Sequence, residues 1–368
     1  MPNVRLRDLI VTFNDDGTVL IKSTSHGLGV KAPPFAVGVL ALCSRPTPAS
    51  EVARAMGPVA ERVYAQLVDA GLLVDPQTAA DTPTVFHNYA GVEVHRRMLA
   101  DEGRIRAYRE AIQAVVRPGD VVIDAGSGSG VLATLAALAG AGRVYAIERS
   151  DMADVIPQVA ADSGVGDRVE VVRGDFSEVQ LPEKARVLIT ETFGHLAIGE
   201  GMMHEVGACA QRNLIEGGVV IPQAVSLHVA PLLNPPQDLL GPFRKREDGV
   251  DLSCLRADAS GRGHDRPIRP ADIGPVIDVG RWAMPMPTEL TARFTLDRPC
   301  EGLAAWFTLH VAPGITLPTG PADPYTHWEQ TLLPVTLDAG EVELRTWSAP
   351  EDRRTTVFSF NGQEVRVR

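Results

Sequence analysis

No stretch of this 368-residue chain is apolar enough, for long enough, to cross a membrane as a helix. No membrane partner is expected. The first eight residues, MPNVRLRD, hold no apolar signal-peptide core, so a cytoplasmic protein is expected. Positive charge is scarce. The 35 Lys and Arg against 46 Asp and Glu leave a formal charge of −11, which argues against general nucleic-acid binding, since that rests on neutralising phosphates. An acidic surface still suits a cationic substrate. Only four cysteines occur, at 43, 209, 254 and 300, with no C-x-x-C pair. Reduced, buried thiols follow. Without clustered Cys and His there is no expected metal site. What remains, 45% hydrophobic and 22% charged, fits a globular protein of two or three domains.

Residues 1–76 read as one module. Val4–Asn14, Thr18–Thr24 and Gly27–Ala32 are strand-like, and Asp15, Asp16 and Gly17 supply a hairpin turn. Helical patterns follow at Pro34–Cys43, Ala49–Met56 (with Ser50 as cap) and Pro58–Leu73. Three strands then three helices make a small winged-helix-like α+β domain. A polar, proline-containing linker follows, 77–84. Residues 85–221 begin with a long helical pattern, Val92–Val116. They then alternate strand and helix, as in an α/β domain with a covered parallel sheet. Residues 222–368 turn to alternating β-type runs such as LTARFTL (290–296) and VELRTW (342–347), which suit an antiparallel barrel or sandwich. A Pro-, Gly- and charge-rich excursion at 232–275 interrupts them.

The run VVIDAGSGSGVLA, 121–133, carries the most chemistry. An apolar strand ends in Asp124, and Gly126, Gly128 and Gly130 let a backbone approach a nucleotide-like cofactor. Glu148 closes the next strand-like run, where a ribose-binding carboxylate belongs. The turn alone suits NAD, FAD or S-adenosylmethionine.

Four motifs in order separate these. They are FHNYAGVEVHRRMLADEGR (86–104), the glycine turn with Glu148, TETFGHLAIGEGM (190–202) and YTHWEQT (325–331). From about Val85 to its end the chain resembles the protein arginine methyltransferases, with their aromatic lid helix, double-glutamate loop and Thr-His-Trp loop. The resemblance implies a Rossmann-like S-adenosylmethionine methyltransferase domain followed by a C-terminal β-barrel. It implies that Arg104 holds the cofactor's carboxylate and that His95 lies in the cofactor pocket. Asp124 would orient the glycine turn. Asp175, Phe176 and Ser177 follow the third sheet strand, where adenine should lie. The family's glutamate is Ser177 here, so Asp175 stands in for it or is a plain turn aspartate.

Glu191 and Glu200 are the implied catalytic pair, nine residues apart and brought together by a hairpin. Glu205 competes for the second role. Two facing carboxylates favour a guanidinium guest and can accept its N–H bonds. His327 is expected to support this loop and Trp328 to wall the substrate channel, with Tyr89, Met98 and Met202 lining the acceptor pocket. The family's Trp-Met after the first glutamate is Thr192-Phe193 here, and His195 replaces a tyrosine. Arginine and another peptide amine therefore both stay open as acceptor. The family's dimerisation arm matches the excursion at 232–275, so a homodimer is expected.

The first 76 residues, ending LVDAGLLV (67–74), resemble the PqqD-like recognition element of ribosomally synthesised, modified peptides. That implies capture of a precursor's leader peptide by strand addition. The leading expectation is thus leader-guided methylation of a peptide nitrogen. The alternatives are an enzyme acting on a cellular protein or small molecule, and a DNA-binding ligand sensor. Residues 1–76 carry balanced charge, against the last of these.

Overall fold

The computed structural model describes residues 2–6, 9–14, 16–23, 29–76, 92–194, 196–199, 201–234, 261–349 and 352–367. They divide into two compact units, Met1–His95 with Arg149–Val155, and Arg96–Glu148 with Ile156–Arg368.

In the first unit, β1 (Val4–Arg5) pairs with β5 (Leu73–Val74). Strands β2 (Leu9–Phe13), β3 (Val19–Ser23) and β4 (Gly29–Ala32) form an antiparallel sheet in that order. Helices α1 (Ala36–Leu42), α2 (Ala49–Met56) and α3 (Pro58–Asp69) follow. Period-2 burial puts Val19 and Ile21 inside, and helical spacing adds Val39, Val52, Val63 and Leu67. Three expectations shift. The third helix, expected to reach Leu73, ends at Asp69, and Leu73 lies in β5. The first strand is two, β1 and β2, because they serve different sheets. Ser50 caps nothing, as Pro48 takes the N-cap position of α2.

The expected single helix at Val92–Val116 is two, α4 (Val92–Ala100), which belongs to the second unit from Arg96 on, and α5 (Glu102–Val115). Asp101 breaks it. Its ψ of 77° leaves the helix, and its Oδ1 accepts the Arg104 N–H at 3.0 Å, capping α5. Five parallel strands follow: β6 (Val121–Ala125), β7 (Arg143–Glu148), β8 (Val169–Arg173), β9 (Ala185–Thr190) and β10 (Leu214–Ile221). They lie in the order β10-β9-β6-β7-β8. The order reverses between β6 and β9, the switch point where such sheets bind ligands beyond the strands' carboxyl ends. Helices α6 (Val131–Leu138), α7 (Ile156–Asp162) and α8 (Met202–Asn213) connect them.

The β-rich half forms two antiparallel sheets. One has the order β12 (His264–Arg266), β17 (Gln330–Leu333), β15 (Leu303–Ala312), β11 (Ala224–Pro231), β13 (Ile277–Ala283), with β16 (Ile315–Pro318) also on β15. The other runs β14 (Glu289–Leu296), β18 (Gly340–Ala349), β19 (Asp352–Phe360), β20 (Gln363–Val367). Alternation sends Leu290, Phe294 and Leu296 inward against Val342 and Leu344. One apolar core runs from Ile123 and Leu188 of the parallel sheet to Phe307 and Phe358 of these sheets. Most of the expected arm, 235–260, lies outside the described residues.

Candidate active site

The glycine turn sits at the carboxyl end of β6. Gly126, Gly128 and Gly130 all have positive φ, at 76°, 52° and 80°, which L side chains rarely adopt. A Cβ on Gly126 would overlap the Thr192 methyl, and one on Gly130 would lie 2.9 Å from Ile156 Cγ2. Two carboxylates hold the turn. Asp124 is 1% exposed, and its Oδ2 accepts the Ala133 N–H of α6 at 2.9 Å. Burial first, with the nearby Glu148 charge adding to it, pushes its carboxyl up to about 7, against hydrogen bonds to Ser127 and Ala133. Glu148 Oε2 accepts the Gly128 N–H at 2.7 Å. Glu148 is 8% exposed, so the expected ribose ligand stands at the turn itself.

Arg104 is 4% exposed. Its Nη1 donates to Glu191 Oε2 and its Nη2 to the Met98 carbonyl at 2.7 Å. Burial pulls its guanidinium below the ordinary arginine value. Its Nε is buried and has no hydrogen-bond partner among the described residues. An orphan buried donor is costly, so an incoming anion would suit this one. Glu191 follows β9 directly, and the Tyr108 hydroxyl on α5 donates to the Thr190 carbonyl at 3.0 Å, tying the strand end to that helix. Past Glu191 the loop is buried at Phe193, Leu196, Ala197 and Ile198.

Behind it lies the Thr-His-Trp loop. Asp101 Oδ2 accepts the His327 backbone N–H and faces its Nδ1, each at 3.2 Å. Burial alone would raise the Asp101 carboxyl, but hydrogen bonds from His327 and the Arg104 N–H outweigh it and hold it below the usual range. Asp101 has no part in the expected site. The N-cap spacing, an aspartate three residues before Arg104, is the signal that finds it. Trp328 is expected to wall the substrate channel. It is 2% exposed, donates its indole N–H to the Phe193 carbonyl at 2.8 Å and meets Phe307 edge-on. It braces the loop from behind.

The adenine segment is partly self-satisfied. Asp175 Oδ1 accepts both the Ser177 N–H at 2.9 Å and its hydroxyl at 2.7 Å, and the Ser177 carbonyl accepts from Arg212. Phe176, 8% exposed, would lie 3.7 Å from a Cβ on Gly126. His95 is buried in the first unit. Met98 is half-buried, and Met202 opens α8. Tyr89, His195 and Glu200 lie outside the described residues.

The profile of the ribosomal protein L11 methyltransferase (PrmA) family matches residues 109–190. The probable protein arginine N-methyltransferase 6.2 of Oryza sativa subsp. indica is 30% identical over 299 residues, 67% of this chain and 75% of that protein. The protein arginine N-methyltransferase 1.1 of Arabidopsis thaliana is 28% identical, covering 81% of this chain and 83% of that one. Among solved structures, the Trypanosoma brucei PRMT1 enzyme-prozyme heterotetrameric complex with AdoHcy superposes with TM-score 0.66 at 24% identity, over 76% of this chain and 99% of that chain. The protein arginine methyltransferase 10 of Arabidopsis thaliana gives 0.61 at 24% identity, over 77% and 97%. The parallel sheet with its glycine turn, joined to antiparallel sheets, defines an S-adenosylmethionine-dependent methyltransferase. Within that class, the chain belongs to the protein arginine N-methyltransferase family.

The residues present fit that cofactor. The orphan Arg104 Nε suits a carboxylate, and the turn at Gly126 has no room for a side chain. Arg104, Glu148 and the turn would hold the cofactor, which supplies a methyl group on an electrophilic sulfonium.

Proposed function

We propose that this enzyme N-methylates arginine guanidines within polypeptides. The buried Glu191, beside the guanidinium of Arg104, carries that reading. Arg104 engages Oε2, and Oε1 is assigned to the acceptor. A second guanidinium bonded there is oriented, and its developing positive charge is stabilised as the N–C bond forms. Glu200 is assigned the other side of the acceptor by motif spacing. The proton leaving nitrogen passes to one of these carboxylates. His327, held by Asp101, and Trp328, held by the Phe193 carbonyl, keep the loop in register. The test is intact-mass analysis of arginine peptides after incubation with S-adenosylmethionine. Mass gain at lysine or at a chain terminus, and none at arginine, would overturn it.

The finer reading assigns residues 1–76 to substrate capture. It is supported by the sheet β2-β3-β4, whose two outer strands each have a single strand neighbour among the described residues. A leader segment added to either edge would raise the local concentration of a weakly binding acceptor. Rates on a precursor peptide with and without its leader test this. Equal rates leave the module with another protein partner, and the acceptor in an ordinary cellular protein.

A further inference from the structure

The loop that follows β8 is held by the last two residues of α8. Arg212 donates from Nη1 to the Ser177 carbonyl. Asn213 is fully buried. Its Oδ1 accepts the Leu181 N–H at 3.0 Å, and its Nδ2 donates to the Val179 carbonyl at 2.9 Å. A carboxamide has one donating and one accepting side, so it can serve two main-chain groups at once. Within the loop, the Asp175 carbonyl accepts the N–H groups of Glu178 and Val179, each at 3.0 Å. The loop's start is tied elsewhere: the Gly174 N–H donates to the Glu148 carbonyl at 3.2 Å. Main-chain groups that leave water need such partners, and α8 supplies them at 177, 179 and 181. The ring carried by this loop is Phe176. Its Cε1 would lie 3.7 Å from a Cβ on Gly126, and that same point overlaps the methyl of Thr192, one residue past Glu191.

We infer that Arg212 and Asn213 position the base of the cofactor, by fixing the loop that carries Asp175, Phe176 and Ser177. Both act through that loop, as positioning residues. The inference rests on the cofactor assigned above and is independent of the acceptor. A flat base is recognised by an aromatic face and by polar groups at its edge, and such groups must be held to within about 0.5 Å. The bonds between Asp175 and Ser177 span only two residues, so they shape the turn locally. Its attachment to the rest of the fold comes from Glu148 at one end and α8 at the other. That helix opens at Met202, directly after the double-glutamate loop, and its 12 residues span about 18 Å. The base side and the acceptor side of the site thus share one rigid element. Asn213 is suited to this by its amide: an acid of the same shape would set an oxygen against the Val179 carbonyl.

The experiment is calorimetric titration of the full chain with two ligands, S-adenosylhomocysteine and S-inosylhomocysteine, whose base carries an oxygen in place of the amine. Wild type should prefer the adenine form by about tenfold, the worth of one hydrogen bond. In Asn213→Asp the Kd for the adenine form should rise about tenfold and the preference should shrink to about twofold. Arg212→Met withdraws the donor from Ser177 at a half-buried position and should shift both quantities in the same direction. It decides the matter if Asn213→Asp does not fold. An unchanged Kd in a folded variant overturns the inference. So does equal weakening for both ligands, which is what a merely structural role produces. Equal affinity of wild type for the two ligands overturns it as well, since the loop then does not read the base. Wild type that binds neither ligand would overturn the cofactor assignment, and this inference with it.

Discussion

Arg104 and Glu191 satisfy each other's charge inside the second unit, their side chains 5% and 7% exposed. The arginine that the family resemblance assigns to the cofactor thus also holds the carboxylate assigned to the acceptor. An anion arriving at the orphan Nε keeps Arg104 charged and in place. On that assignment, the two binding events would meet on one guanidinium.

Glu191→Gln keeps the shape but removes the charge. Methyl transfer should fall by about a thousandfold, from loss of both orientation and charge stabilisation. S-adenosylmethionine should still bind within about tenfold of wild type. Calorimetric titration beside single-turnover kinetics separates the two. Turnover near wild type would remove Glu191 from the reaction.

Arg104→Ala does the converse and leaves Glu191 buried without its cation. Removing one partner of a buried pair costs about 3–5 kcal/mol, so chemical denaturation should show a marked loss. The double variant Arg104→Ala with Glu191→Ala should recover part of it. A double variant no more stable than the single one would show that the ion pair is not the source.

Gly126→Ala tests the turn. Its φ of 76° strains any L side chain by about 1–2 kcal/mol, and the added methyl overlaps Thr192 Cγ2. Cofactor affinity should drop at least about tenfold. Thr192→Ser deletes that methyl and should restore affinity in part, leaving the backbone strain. No rescue would place the defect elsewhere.

The places of the turn, Glu148 and Glu191 at the strands' carboxyl ends were legible because each motif is contiguous with its strand. The α4–α5 break was not. Its apolar spacing runs straight through Asp101, whose ψ of 77° leaves the helix and whose side chain caps the start of the second one at the Arg104 N–H. Nor was the place of Trp328. A tryptophan beside a catalytic motif reads equally as channel wall or core, and the Phe193 carbonyl that decides it is 135 residues away. Asp101 with His327 spans 226 residues, a pairing no local pattern contains.

Asp124 gives the stability of this fold a pH dependence of unusual sign for a carboxylate. Its folded value is raised to about 7 from an ordinary 3.8. The folded state therefore holds a proton that the unfolded chain has lost. The contribution is complete below about pH 4 and disappears as pH rises through about 7. Asp101 runs the other way. Its lowered value adds stability above the ordinary carboxylate range, and that is lost as pH falls through the folded value. Urea titrations of Asp124→Asn across pH 5 to 8 should show a flatter decline than wild type, by less than one proton. An identical slope would rule Asp124 out as the proton's holder.

Trp328→Phe retains the ring against Phe307 but withdraws the N–H from the Phe193 carbonyl. A buried acceptor left unpaired costs about 1–3 kcal/mol. Through that carbonyl, the loop after Glu191 loses a hydrogen bond to the Thr-His-Trp loop. Turnover should therefore fall more than cofactor affinity does, since Glu148 and the glycine turn are untouched. Hydrogen exchange should rise at 193–199 in the variant. Equal protection there, with activity still lost, would mean that Trp328 acts on the acceptor directly.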